Sequence, residues 1–115
     1  MKMGKGLIAG NPNGKASVTM HVVKGSQTSI RANSPYISTT EREDIARYKY
    51  GREHGYVIID LDRVPSQKIK AYQYPFDLST KDGRAAKRYA TRDSEVLIKG
   101  YIPPSAIIDR RYDFY

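Results

Sequence analysis

Three stretches of the chain carry residue types that can do chemistry together: His21, the run Ser38-Thr39-Thr40, and Glu95. An imidazole gives or takes a proton near neutral pH, and a carboxylate does the same or stabilises a developing positive charge. Hydroxyls in a row hold and orient such groups. Singly, each has an ordinary explanation. A lone His is more often packed or on the surface, Ser-Thr-Thr ahead of a helix is more often an N-cap, and Glu95 near Arg92 is more often half of a solvated ion pair. Other chemistries are thinly supplied. The two histidines, His21 and His54, are too far apart for an HExxH-type metal site. With no Cys there is no thiol nucleophile, disulfide or Cys-held zinc, so no metal is expected. The chain also lacks a GxxxxGK[ST] phosphate loop, a GxGxxG after a strand and a GxSxG elbow. Kinase, Rossmann oxidoreductase and α/β-hydrolase readings thereby lose their main support.

The elements that must position these residues can be read from pattern. Residues 1–16 contain Gly4, Gly6, Gly10, Pro12 and Gly14 and read as a flexible lead-in, leaving 17–115 as a single domain. Residues 17–23 alternate, with Val18, Met20 and Val22 opposite Thr19, His21 and Val23, which predicts a strand bearing His21. Residues 35–39 form a short extended run that opens at Pro35, and Thr40 with Glu43 has the spacing of a capping box for a helix running to about Tyr50, with Gly51 as its stop. Residues 56–61 are the most apolar run and predict a central strand, and 68–74 a strand nearer an edge. Asp82 is placed to cap a short helix over 83–90, Glu95 opens another strand, and a final strand follows Ile107. Short strands with few helices between them predict an α+β fold with largely antiparallel sheets.

Size and charge bound the function. One domain of 115 residues carries 20 Lys and Arg against 12 Asp and Glu, a net charge of +8. That surplus favours nucleic acid, an acidic protein or a phosphorylated small molecule as partner. A mean hydropathy of −0.64 and no long apolar run argue against a membrane-spanning helix.

Order and surroundings give the three stretches a joint meaning. Pro35-Tyr36-Ile37-Ser38-Thr39-Thr40, with Ala46 and Tyr48 behind it, resembles the Ser-Thr-Ser motif of the ADP-ribosyltransferase superfamily. Asp93-Ser94-Glu95-Val96-Leu97-Ile98 and the Ile102-Pro103 continuation resemble that family's catalytic-Glu strand. His21-Val22-Val23-Lys24-Gly25 stands where the family's first-motif Arg or His stands, and the small size is similar to C-terminal toxin domains of bacterial Rhs-type polymorphic toxins.

The resemblance implies ADP-ribosyltransferase-like split antiparallel sheets with a few short helices. It also implies an NAD-dependent mono-ADP-ribosyltransferase toxin, secreted by its producer and acting in the cytoplasm of a target cell. NAD would be its substrate and a translation factor or RNA its acceptor, with a cognate, acidic immunity protein as partner. On that basis Glu95 and Ser38 are catalytic, Glu95 stabilising the oxocarbenium-like centre through the ribose 2′-OH and Ser38 orienting it. His21, Val22, Ser38, Thr39 and Thr40 bind NAD, with Val22 supplying a backbone amide pair and Tyr36, Tyr48 or Tyr50 the ring that stacks on nicotinamide. Arg31, Arg42 and Arg47 are available to the pyrophosphate, and Asp93 occupies the target-recognition position. Two readings compete. One is a small basic ribonuclease using His21 or His54 with Glu95 as acid and base. The other is a non-catalytic RNA- or ribosome-binding module in which Tyr residues stack on bases.

Overall fold

The computed structural model describes residues 6–25, 27–50, 55–71 and 74–111. Its centre is strand β5 (Glu95–Lys99), which pairs antiparallel with β2 (Tyr36–Thr40) on one side and β4 (Ile69–Ala71) on the other. The register sets Ser38 opposite Leu97 and Thr40 opposite Glu95. Side chains alternate across a strand, so Tyr36, Ser38, Thr40, Glu95 and Leu97 share one face while Ile37, Thr39, Val96 and Ile98 share the other. Two smaller antiparallel pairs accompany this sheet: β1 (Leu7–Ile8) with β6 (Tyr101–Ile102), and β3 (Tyr56–Ile59) with β7 (Ile107–Arg111). The result is an α+β domain with antiparallel sheets and few helices.

Each face of β5 packs on its own core. Leu97 joins Val18, Phe76, Ala86 and Ala90 beneath α1 (Val18–Lys24) and α4 (Lys81–Arg92). Ile98 joins Val64, Ile102, Ala106 and Ile107 beneath the β3–β7 pair, with Ile37, Val57 and Ile59 packed alongside. The alternation that makes Glu95-Val96-Leu97-Ile98 a strand thus also makes it the partition between two cores.

Several expected elements change. Residues 17–23 are not a strand: α1 is a helix, capped by Ser17, whose Oγ accepts the Met20 N–H at 3.1 Å. Val18 and Val22 fit either pattern, being two strand repeats or one helical turn apart; as a helix they present one stripe to α4 and Leu97. Thr40 does not open a helix. It ends β2, Glu41 donates its N–H to the Ser94 carbonyl at 3.1 Å, and α3 (Glu43–Ile45) starts later and runs into a π-helical turn at Ala46–Tyr50. Gly51 lies outside the described residues. The apolar β3 pairs with β7 alone among the described residues, so it is not the central strand. The cap of α4 is Thr80, not Asp82, because the Thr80 hydroxyl takes the Gly83 N–H at 3.0 Å. Part of the expected lead-in is ordered, since Leu7 and Ile8 pair with β6 and Ala9 is buried. The short helix α2 (Thr28–Arg31), not anticipated, then turns the chain toward β2.

Candidate functional site

The helix-facing side of β2 and β5 is only partly covered. Between it, α1, and the C-terminal end of α4 lies a cavity of about 690 Å³, within the range of small-molecule sites. His21, Val22, Tyr36, Ser38, Asp93 and Glu95 all line it. Six of the residues singled out from sequence therefore meet in one place, although His21 arrives from a helix.

His21 sits at the middle of a hydrogen-bonded chain. Its Nδ1 is 2.5 Å from the Ser34 Oγ and its Nε2 is 2.7 Å from the Ser38 Oγ. Its ring meets Tyr36 edge to face, centroids 5.9 Å apart. Burial holds the imidazole below its usual pKa of 6.5, so the ring is neutral at pH 7. Burial also raises the Tyr36 phenol, followed by the influence of Tyr74. Ser34 is only 1% exposed. Nothing in the sequence marks it beyond its place before Pro35.

Glu95 is a buried acid, 9% exposed, on the same strand face as Ser38. The chain enters it through Ser94, whose φ of 46° is left-handed, a strained conformation for a non-glycine residue. Asp93, 6% exposed, ends α4 with its carboxylate gripped by Arg92 through bonds of 3.1 and 3.2 Å.

The remaining expected residues divide. Thr39 donates its hydroxyl to the Val96 carbonyl at 2.7 Å, and Thr40 donates to the Asp93 carbonyl at 2.5 Å. The Thr39 hydroxyl thereby ties β2 to β5 and the Thr40 hydroxyl ties β2 to the end of α4, and both residues, with Ser38, line a second, mainly apolar cavity of about 640 Å³ on the β3 side of β2. Val22 lies inside α1, where the backbone N–H turns to a carbonyl four residues back, so it offers a side chain, not an amide pair, to the cavity. Tyr48 is 70% exposed and lines neither cavity. The Tyr50 side chain and His54 fall outside the described residues. Among the three arginines, Arg31 lines the first cavity, whereas Arg42 pairs with Asp44 at 2.6 Å and Arg47 with Glu43 at 3.5 Å. Among the described residues no cluster of His, Asp and Glu has the makings of a metal site, and no helix is long and apolar enough to cross a membrane.

Neither the curated proteins nor the solved structures include a match to this chain. One protein-family model does match, over residues 11–114, nearly all of the described fold, and the chain therefore belongs to the family described as a domain of unknown function, DUF7587.

Proposed function

We propose that this protein is an NAD-dependent mono-ADP-ribosyltransferase whose active site is the cavity between α1, the end of α4 and the β2–β5 face. The observation that carries the reading is the convergence of His21, Ser38 and Glu95 on that one cavity. The residues present suit the group. A buried carboxylate, two hydrogen-bonding side chains, the Tyr36 ring and the Arg31 guanidinium offer partners for ribose, nicotinamide and pyrophosphate.

NAD supplies a nicotinamide–ribose bond whose cleavage develops positive charge on the ribose. The Glu95 carboxylate, accepting from the ribose 2′-OH, stabilises that charge as it grows. Low exposure keeps competing water from Glu95 and strengthens its field. Ser38, held by His21, orients the ribose, and Tyr36 presents an aromatic edge and face to the base. The acceptor is a macromolecule, a translation factor or RNA, reached in the cytoplasm of a target cell after secretion, and an acidic immunity protein protects the producer.

The test is incubation with labelled NAD and a bacterial lysate, wild type against Glu95→Gln. The expected result is label on one acceptor with wild type and a loss of about 100-fold or more in the variant, the cost of removing one preorganised charge-stabilising group. Unchanged circular dichroism would show that the variant folds. Equal labelling by both proteins, or none by either with NAD left intact, would overturn the reading.

A further inference from the structure

A serine hydroxyl 2.7 Å from a histidine Nε2 invites two opposite interpretations. If Nε2 is bare, Ser38 gives its proton to His21 and is poised as a nucleophile. If Nε2 carries the proton, His21 donates, Ser38 accepts, and the Ser38 proton is free to point elsewhere. The choice is made on the far side of the ring. Ser34 is 1% exposed, and among the described residues its hydroxyl has two partners. One is the Tyr36 backbone N–H at 3.2 Å, which can only donate, so it occupies a lone pair of the Ser34 oxygen. The other is His21 Nδ1 at 2.5 Å. A Ser34 proton that did not go to Nδ1 would be a buried donor with no acceptor, a costly arrangement.

We propose that Ser34 is a positioning residue that fixes His21 as the Nε2–H tautomer. Ser34 donates to Nδ1, Nε2–H donates to Ser38, and the Ser38 hydroxyl proton is turned toward the cavity as a donor to a ligand oxygen. His21 is thus not a base for Ser38, and Ser38 is a hydrogen-bond donor, not a nucleophile. Only the identity of the ligand oxygen, a ribose hydroxyl of NAD, rests on the transferase reading. The orienting device begins at a buried residue outside the three motifs and passes through a neutral ring. It aims one hydroxyl into the same cavity as Glu95.

The experiment is long-range proton–nitrogen NMR correlation of the imidazole in uniformly ¹⁵N-labelled protein at pH 7.5. A His54→Gln background leaves His21 as the sole histidine. The expected spectrum has a protonated, pyrrole-type Nε2 and a bare, pyridine-type Nδ1. Ser34→Ala is expected to mix the tautomers so that the two nitrogen shifts converge, and Ser34→Thr, which keeps the hydroxyl, to restore the separation. A protonated Nδ1 in the otherwise wild-type protein would overturn the proposal, as would a ring spectrum unchanged by Ser34→Ala. Should Ser34→Ala not fold, the spectra of the parent and Ser34→Thr still decide the tautomer. Titration with NAD separates the two readings. Ser34→Ala is expected to weaken binding by about tenfold, the loss that goes with one misdirected hydrogen bond. Absence of NAD binding to every variant would sink the transferase reading and leave the tautomer result standing.

Discussion

His21 is neutral in the fold because burial disfavours its cation, and that has a pH consequence with a definite sign. Below pH 6.5 the unfolded chain takes a proton that the folded ring resists, so the unfolded state binds more protons and stability falls as pH falls. The stability is fully present above the unfolded pKa and is lost between 6.5 and the lower folded value. Arg31 and Arg92 also face the cavity and oppose the imidazolium, while Asp93 and Glu95 favour it; Asp93 is already committed to Arg92. Protonation at Nδ1 would in addition deprive the buried Ser34 proton of its acceptor. The prediction is a urea midpoint that drops from pH 7 to pH 5.5 more steeply in wild type than in His21→Gln, both on a His54→Gln background. The subtraction removes the carboxylates common to both proteins. A difference that stays flat, or reverses, would mean that the ring is not buried as a neutral base.

At the scale of elements, much of the fold was legible because pattern and packing agree there. Glu95-Val96-Leu97-Ile98 reads as a strand, and its alternate residues do enter separate cores. The edge strand near residue 69 and the last strand were legible for the same reason. The errors arose where one sequence satisfies two periods. Val18 and Val22 fit a strand or a helix, and only packing on α4 decides between them. Thr40 and Glu43 have capping-box spacing, but the Thr40 hydroxyl finds the Asp93 carbonyl, a partner remote in sequence. The candidate site was legible in its motif residues and illegible in Ser34, whose part depends on a fold-level approach to His21.

The helix α4 supplies a prediction of its own. Gly83 lies in its first turn, where replacing Gly by Ala at an ordinary helical position gains about 1 kcal/mol. Here a Cβ would run into the Asp77 backbone carbonyl and come within 2.8 Å of the Thr80 hydroxyl that caps the helix. Backbone has little room to yield, so Gly83→Ala should destabilise by about 1–3 kcal/mol. A lowered urea midpoint is the expected reading, and a raised one would show that the 77–80 turn can move aside.

For the whole molecule the decisive quantity is charge on a small body. The radius of gyration is 14.0 Å, close to the roughly 13 Å of a compact chain this long, and it carries a net +8. With a screening length of about 8 Å at physiological ionic strength, the surplus acts on a partner mainly where cations are grouped. The outer face of α4 groups them. Lys81, Arg84, Lys87, Arg88 and Arg92 are all exposed along one helix whose only acid is Asp82. They are not equally available. Arg84 donates to the Leu78 carbonyl, Arg92 holds Asp93, and Arg88 lies 5.8 Å over the Tyr89 ring. Lys87 and Arg88 are the pair to reverse, because neither lines the cavity and changing both to Glu halves the net charge. Binding of wild type to a single-stranded RNA homopolymer should weaken linearly in log–log coordinates as salt rises. Lys87→Glu/Arg88→Glu should make that slope shallower by about 1.4, the contribution of two phosphate contacts on a single strand. A slope unchanged by the double reversal would move the polyanion-facing surface off α4.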